Sequence, residues 1–163
     1  GSLRAINEWG DPSKLNVNWR TIKEFLNLLR ERGLGVNFGT LIGYSTVRRA
    51  LTKDQARDLT WSEIEALKEI VAKSLKEGAF GLSTGLGYPQ ARRTPYRELL
   101  ELVKTVTELK GLYATHLRDV ESEVKKSVGE TIALGRETNV NLEISHFQPR
   151  RHFSKLCLLS HLH

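Results

Sequence analysis

The chain has 163 residues, 39% of them hydrophobic and 27% charged, which is typical of a soluble globular domain and excludes a disordered chain. No apolar run approaches the roughly 20 residues of a membrane span, so we expect no membrane partner. The net charge of +6 would suit a nucleic-acid binder. The basic residues, however, stand beside Glu along predicted helices, as in Lys23-Glu24 and Lys68-Glu69, which indicates solvated helix faces and no nucleic-acid partner.

The cysteine and methionine content indicates the cellular compartment of the chain and its relation to a longer protein. Cys157 is the only cysteine, which excludes an internal disulfide framework and fits a reducing compartment, so we expect a cytoplasmic protein. The chain contains no methionine and opens with Gly1-Ser2. This opening resembles the scar of a cleaved tag, so we expect an excised or truncated piece of a longer protein.

Helical and strand-like segments alternate along the chain. Four segments carry apolar side chains at helical spacing and are predicted helices: residues 18–32, 60–77, 95–110 and 122–137. Asn18 is the predicted cap of the first helix, and Thr60 with Glu63 has the spacing of a capping box on the second. Four shorter apolar runs are predicted strands: residues 36–42, 80–83, 112–115 and 140–145.

The order of these elements predicts an α/β fold. Successive strands joined by helices must run parallel, because only a crossover returns the chain to the same edge of the sheet. No dinucleotide-binding glycine pattern follows the first strand. We therefore predict part of a (β/α)8 TIM barrel, about four βα units with outer helices, and keep a doubly wound open sheet as the alternative. A full barrel typically needs ~250 residues, so this chain is too short to close one.

Two histidines follow neighbouring predicted strands. His116 follows residues 112–115, and His146 follows residues 140–145. Because the carboxyl ends of parallel strands meet at one end of a barrel, two imidazoles there can converge on one metal ion. The alternative is that each histidine bonds the backbone at its strand end. His161 and His163 also have His-x-His spacing, but no strand precedes them and we expect no metal site there.

Four segments resemble motifs of the N-acyl-D-amino-acid deacylases, which belong to the metal-dependent amidohydrolases. They are residues 37–48, residues 81–89 (GLSTGLGYP), residues 113–119 (YATHLRD) and residues 143–146 (EISH). Their order and spacing agree with the family over roughly residues 15–148, which makes the resemblance much more specific than any single motif. The resemblance implies a zinc ion at the mouth of a barrel, with His116 and His146 as two of its ligands.

The resemblance also implies two candidate substrate contacts. Tyr88 matches a loop tyrosine near the substrate, whose phenol would donate to the developing oxyanion. The alternative for Tyr88 is a side chain packed on a glycine-rich turn. Arg118, within the motif that contains His116, is a candidate substrate-binding residue.

The chain departs from the family pattern at several positions. The family's upstream His-x-His and cysteine ligands and its late catalytic aspartate have no counterpart, and Cys157 lies in the wrong order. Val120 stands where the family usually has Glu, Gln148 where it commonly has a substrate-binding lysine, and Tyr44 where it has a histidine. We therefore expect zinc to be weakly held or absent and this chain alone to be inactive.

The resulting prediction is a fragment of a zinc-dependent hydrolase that cleaves the amide bond of small N-acyl-D-amino acids. Residues 1–149 are predicted to be the central part of the barrel, and residues 150–163 an unassigned tail. One alternative is an inactive truncated barrel that acts as a binding or structural module and self-associates through exposed sheet edges. Another is a hydantoinase-like or dihydroorotase-like metal hydrolase, against which the motif at residues 81–89 argues.

Overall fold

The computed structural model describes residues 18–53, 55 and 57–147. The tail predicted at residues 150–163, and with it Cys157 and Gln148, lies outside these residues. None of the described helices has both the length and the apolar character that a membrane crossing requires.

The described residues form a single run of alternating helices and strands. The strands are β1 (Leu41–Gly43), β2 (Gly81–Gly85), β3 (Leu112–His116) and β4 (Asn141–Ser145). The helices are α1 (Ile22–Arg32), α2 (Tyr44–Thr52), α3 (Trp61–Lys76), α4 (Tyr96–Glu108) and α5 (Val124–Thr138).

The four strands form one sheet in the order β1-β2-β3-β4, and every neighbouring pair is parallel. The register aligns Ile42 with Leu82, Leu82 with Tyr113, and Tyr113 with Leu142. Ile42, Leu82 and Tyr113 belong to the main hydrophobic core, and the partly buried Leu142 packs against it. The same core contains residues of three helices: Leu67 and Val71 of α3, Leu102, Val103 and Val106 of α4, and Leu134 of α5.

Helices of this core therefore cover one face of the sheet, and the other face carries mostly small and polar side chains, together with Leu41 and Leu112. A doubly wound sheet has helices on both faces, whereas a barrel has them only on the outside, so the arrangement is that of a partial TIM barrel. The predicted α/β fold of four βα units is confirmed. On the inner face, a Cβ at Gly81 would lie 1.8 Å from the Leu112 carbonyl oxygen, so β2 and β3 can approach only with glycine there.

Two of the predicted helix starts can be compared with observed caps. Thr60 and Glu63 form the predicted capping box at the start of α3. The first helix begins later than predicted, because Thr21 and not Asn18 caps it. The Thr21 hydroxyl accepts from the Glu24 amide at 3.1 Å, and the Glu24 carboxylate accepts from the Thr21 amide at 3.2 Å.

The first predicted strand is wrong over most of its length. Only Leu41–Gly43 is strand, because β1 pairs with β2 over those three residues alone. Val36 and Phe38, which the prediction placed in the strand, precede it and are 75% and 48% exposed. The sequence prediction also missed helix α2, which has no capping side chain at Gly43 to mark its start.

A buried polar network joins α2 to α4. Tyr44 is fully buried, and its hydroxyl donates to the Glu98 carboxylate at 2.5 Å. The Arg48 guanidinium donates to the same Glu98 oxygen at 3.1 Å and to the Arg57 carbonyl at 2.8 Å. Burial, reinforced by the Glu98 charge, raises the pKa of the Tyr44 phenol far above its usual range, so Tyr44 remains a hydrogen-bond donor. Tyr44, which stands where the deacylase pattern has histidine, thus fixes α2 behind the sheet.

We expect Arg48→Met to destabilise the fold by roughly 3–5 kcal/mol, because it leaves the buried Glu98 carboxylate without its cation. The matched control is Arg57→Met, which removes a guanidinium from an exposed pair with Glu63 and should change stability far less. Urea unfolding of both variants measures the difference. Equal losses for the two variants would show that the buried network does not carry this stability.

Candidate metal site at the carboxyl ends of the strands

The pairing of β3 with β4 brings His116 and His146 together. His116 is the last residue of β3, and the register places it opposite Ser145, the last residue of β4. His146 follows directly with a positive φ of 53°, a left-handed turn that takes the chain out of the strand direction. The two imidazole rings lie 5.9 Å apart between centroids, at 61° to each other. The predicted convergence of the two side chains is what the structure shows.

The arrangement of the two rings fits two ligands of one zinc ion. With Zn–N bonds of ~2.0–2.1 Å, rings that share a zinc have centroids within roughly 6.5 Å. The Nδ1 of His116 lies 3.1 Å from the Leu117 carbonyl oxygen, which can only accept, so Nδ1 carries the proton. The lone pair of Nε2 is then available to a metal, and the carbonyl fixes the ring orientation.

The donor set is incomplete in the part of the chain that the structure describes. Within residues 18–147, as far as they are described, no group of three or more His, Cys, Asp or Glu side chains converges as a metal site requires. Catalytic zinc sites normally use three protein ligands, so the predicted pair His116 and His146 would fall one short of that number.

The loop after β2 borders the histidine pair. The Leu86 amide donates to the His116 carbonyl at 3.2 Å, and the rings of Tyr88 and His116 lie 6.1 Å apart between centroids. The Tyr88 side chain is 62% exposed. Its ring also covers Gly85, where a Cβ would come within 2.5 Å of it. Tyr88 therefore packs on the glycine turn and also borders His116, and its contact with substrate stays a prediction.

Arg118 lies close to the site but its guanidinium is engaged within the chain. It forms a two-pronged ion pair with Glu130 of α5, with both distances at 2.9 Å. It also donates to the carbonyl oxygens of Ala91, Arg92 and Thr94 in the loop after β2. The prediction that Arg118 binds substrate remains a prediction, and its described partners are all protein groups.

Asp119 ties the same loop to the start of α5. Its carboxylate accepts from the amides of Glu121 and Glu123 at 2.8 and 3.0 Å, and from the Arg92 guanidinium at 3.0 Å. The backbone hydrogen bonds from Glu123 and Glu121, and then the Arg92 charge, hold the pKa of Asp119 below its usual range. Asp119 is therefore ionised and serves as an anchor for Arg92.

Sequence reasoning missed Glu130 as a contributor to the site. Glu130 stands 12 residues from Arg118, in the middle of an amphipathic helix where an acidic residue is unremarkable. Only the packing of α5 beside the loop brings the two together.

Comparisons with known proteins identify relatives of this chain. It is 36% identical to a D-aminoacylase of Alcaligenes xylosoxydans xylosoxydans over 123 residues, which are 76% of this chain and 25% of the relative. It is 34% identical to an N-acyl-D-aspartate deacylase of the same organism over 127 residues, 77% of this chain and 26% of the relative. No protein-family model matches the chain.

Solved structures give the same result. A zinc-containing N-acyl-D-glutamate deacylase from Bordetella bronchiseptica, in complex with a phosphonate mimic of the tetrahedral intermediate, superimposes with a TM-score of 0.81 at 26% identity. It covers 87% of this chain, and this chain covers 31% of it. A D-aminoacylase studied for its binuclear metal centre superimposes with a TM-score of 0.75 at 34% identity, covering 78% of this chain and 27% of that one.

The chain is homologous to the D-aminoacylase-type amidohydrolases. It spans about a quarter of the length of the curated relatives it matches. The resemblance of the four sequence motifs is thereby confirmed, and the described βα units correspond to part of the amidohydrolase barrel.

If His116 and His146 share one metal ion, replacing either should weaken zinc binding as much as replacing both. We expect the chain to lose zinc on dialysis, because two ligands fall short of a full site. Titration with a zinc-sensitive dye should show His116→Ala, His146→Ala and the double variant equally weakened, by at least ~10-fold.

The matched control for this titration is His161→Ala in the tail, which should leave the affinity unchanged. A zinc affinity that depends on His161 and not on His116 or His146 would contradict the site. Circular dichroism of each variant verifies that the fold is retained.

Proposed function

We propose that this chain supplies the β2–β4 part of the active site of a zinc-dependent enzyme. The enzyme would cleave the amide bond of N-acyl-D-amino acids and release a carboxylate and a free D-amino acid. One observation carries the proposal: two histidines lie at the carboxyl ends of adjacent parallel strands, with their rings 5.9 Å apart, in a homologue of D-aminoacylases. In parallel barrels the chemistry takes place at this end of the strands.

The residues of this chain would have separate tasks in that reaction. His116 and His146 would hold the zinc ion, which lowers the pKa of a bound water and polarises the amide carbonyl. Tyr88, exposed and bordering His116, would donate its phenol proton in a hydrogen bond to the oxygen that becomes negative. The described residues offer no group beside the histidine pair that we assign to moving a proton to the leaving nitrogen.

The proposed substrate class is supported by the names of the relatives. The named relatives act on N-acyl-D-amino acids, and two of them on the D-aspartate and D-glutamate derivatives. This likeness favours a deacylase over a hydantoinase-like or dihydroorotase-like hydrolase.

A second candidate function is a non-catalytic module that associates through its sheet. It is supported by β1 and β4, which end the described sheet on either side, so that each has one edge without a described partner strand. Unpaired N–H and C=O groups on such edges favour pairing with another chain. The incomplete set of metal ligands in the described residues also supports this candidate.

We expect residues 1–163 alone, supplied with zinc, to release no D-amino acid from N-acetyl-D-methionine or N-acetyl-D-leucine above background. A chimera that carries residues 18–147 in place of the matched quarter of the Alcaligenes D-aminoacylase should be active. In the chimera, His116→Ala or His146→Ala should lower the rate by at least ~10²-fold, because each removes a ligand of the metal that activates water.

The matched control in the chimera is Arg93→Lys, which changes an exposed side chain on the loop after β2 and should leave the rate unchanged. A folded, zinc-loaded chimera without activity would contradict the deacylase proposal and favour the non-catalytic module. Rapid metal-dependent turnover by residues 1–163 alone would contradict the expectation that this chain is inactive by itself.

A further inference from the structure

We propose that Arg118 is a positioning residue that clamps the loop of residues 86–94 (the Tyr88 loop) over the histidine pair. In this role Arg118 sets the place of Tyr88 relative to His116 and does not itself contact substrate. The catalytic consequence of the clamp rests on the proposed function, whereas the clamp itself can be tested without activity.

The contacts of the guanidinium use its whole donor set. Nε and one terminal nitrogen bind the two carboxylate oxygens of Glu130, each at 2.9 Å. That same terminal nitrogen also donates to the Thr94 carbonyl at 3.1 Å, and the other donates to the carbonyls of Arg92 and Ala91. A guanidinium carries five N–H donors in a planar fork, and these five contacts, the longest of them 3.5 Å to Ala91, engage all three of its nitrogens.

The clamped half of the loop is bonded directly to Tyr88. The amides of Ala91 and Arg92 both donate to the Tyr88 carbonyl at 2.9 Å, so holding these two residues holds the backbone of Tyr88. The Arg92 guanidinium is held in turn by Asp119, the residue after Arg118. At the other end of the loop, the Leu86 amide bonds the His116 carbonyl.

The short segment after β3 therefore serves two purposes. Leu117 orients His116, because its carbonyl accepts from the His116 Nδ1–H. The next residue, Arg118, is the clamp. A movement of Arg118 would be transmitted to the Tyr88 loop and to the surroundings of the His116 ring. The loop backbone at Gly87 lies close to the His116 ring, since a Cβ at this position would lie 3.3 Å from the His116 Nδ1.

The environment of Arg118 is that of an anchor. Its side chain is 20% exposed and its charge is balanced by Glu130. Glu130 lies on α5, a helix outside the sheet, and its side chain is 21% exposed beside Arg118. For Arg118 to bind an anionic substrate, it would have to give up either the ion pair or the loop carbonyls.

The test compares Arg118→Lys, Glu130→Gln and the double variant with Arg93→Lys as the control, all in the full chain. Lysine keeps the charge but cannot span the carboxylate and three carbonyls. We expect amide hydrogen exchange at Ala91, Arg92 and Thr94 to rise at least tenfold in both single variants and no further in the double variant. The nuclear Overhauser contact between the Tyr88 and His116 rings should weaken in parallel.

Denaturant unfolding separates this local effect from a general loss of stability, which would raise exchange along the whole sheet. Unchanged exchange in the loop and an intact Tyr88–His116 contact in Arg118→Lys would overturn the proposal, whatever the outcome of the activity assays.

The active chimera gives a kinetic reading of the same variants. Loss of a positioned transition-state donor lowers kcat with KM nearly unchanged, in Arg118→Lys and Glu130→Gln alike. If Arg118→Lys raised KM while Glu130→Gln changed neither constant, Arg118 would be a substrate contact and the clamp would be refuted.

Discussion

The parallel register of β3 with β4 is the constraint on which the site depends. It sets His116 opposite Ser145 and puts His146 at the first position beyond the sheet. Side chains alternate between the two faces of a strand, so a shift of one residue would turn His116 toward the helices. The register itself is held by burial on the other face, where the buried Tyr113 pairs with Leu142, which packs against the hydrophobic core. The geometry at the strand ends is therefore a consequence of packing behind the sheet.

Polar contacts connect that packed scaffold to the Tyr88 loop. Behind the sheet, the buried Tyr44–Glu98–Arg48 network fixes α2 against α4. In front of it, Arg118 and Asp119 tie the Tyr88 loop to α5 and to the end of β3. Glu98 lies in the first turn of α4, which directly follows the Tyr88 loop, so the two networks hold the loop from both sides. A tyrosine that must meet a developing charge benefits from such restraint, because a fixed donor needs no reorganisation during the reaction.

The sequence predicted the parts of the structure that local pattern determines. Helical periodicity and the Thr60 capping box located α3, and the alternation of strands and helices fixed the parallel order. The first strand was misplaced because Val36 and Phe38 look like strand residues, while the actual β1 is defined by pairing with β2, which no local pattern encodes. The histidine pair could be predicted, since both residues follow strands. The Arg118–Glu130 pair could not, because it depends on how α5 packs.

The most direct test of the central claim is a crystal structure of the chain soaked in zinc, with anomalous scattering recorded at the zinc edge. The account predicts one peak at the carboxyl ends of the strands, within ~2.0–2.1 Å of a nitrogen of both His116 and His146. On His116 the ligand should be Nε2, with Nδ1 still bonded to the Leu117 carbonyl. Zinc bound elsewhere, with no peak between the two rings, would contradict the claim that these strand ends form part of a metal site.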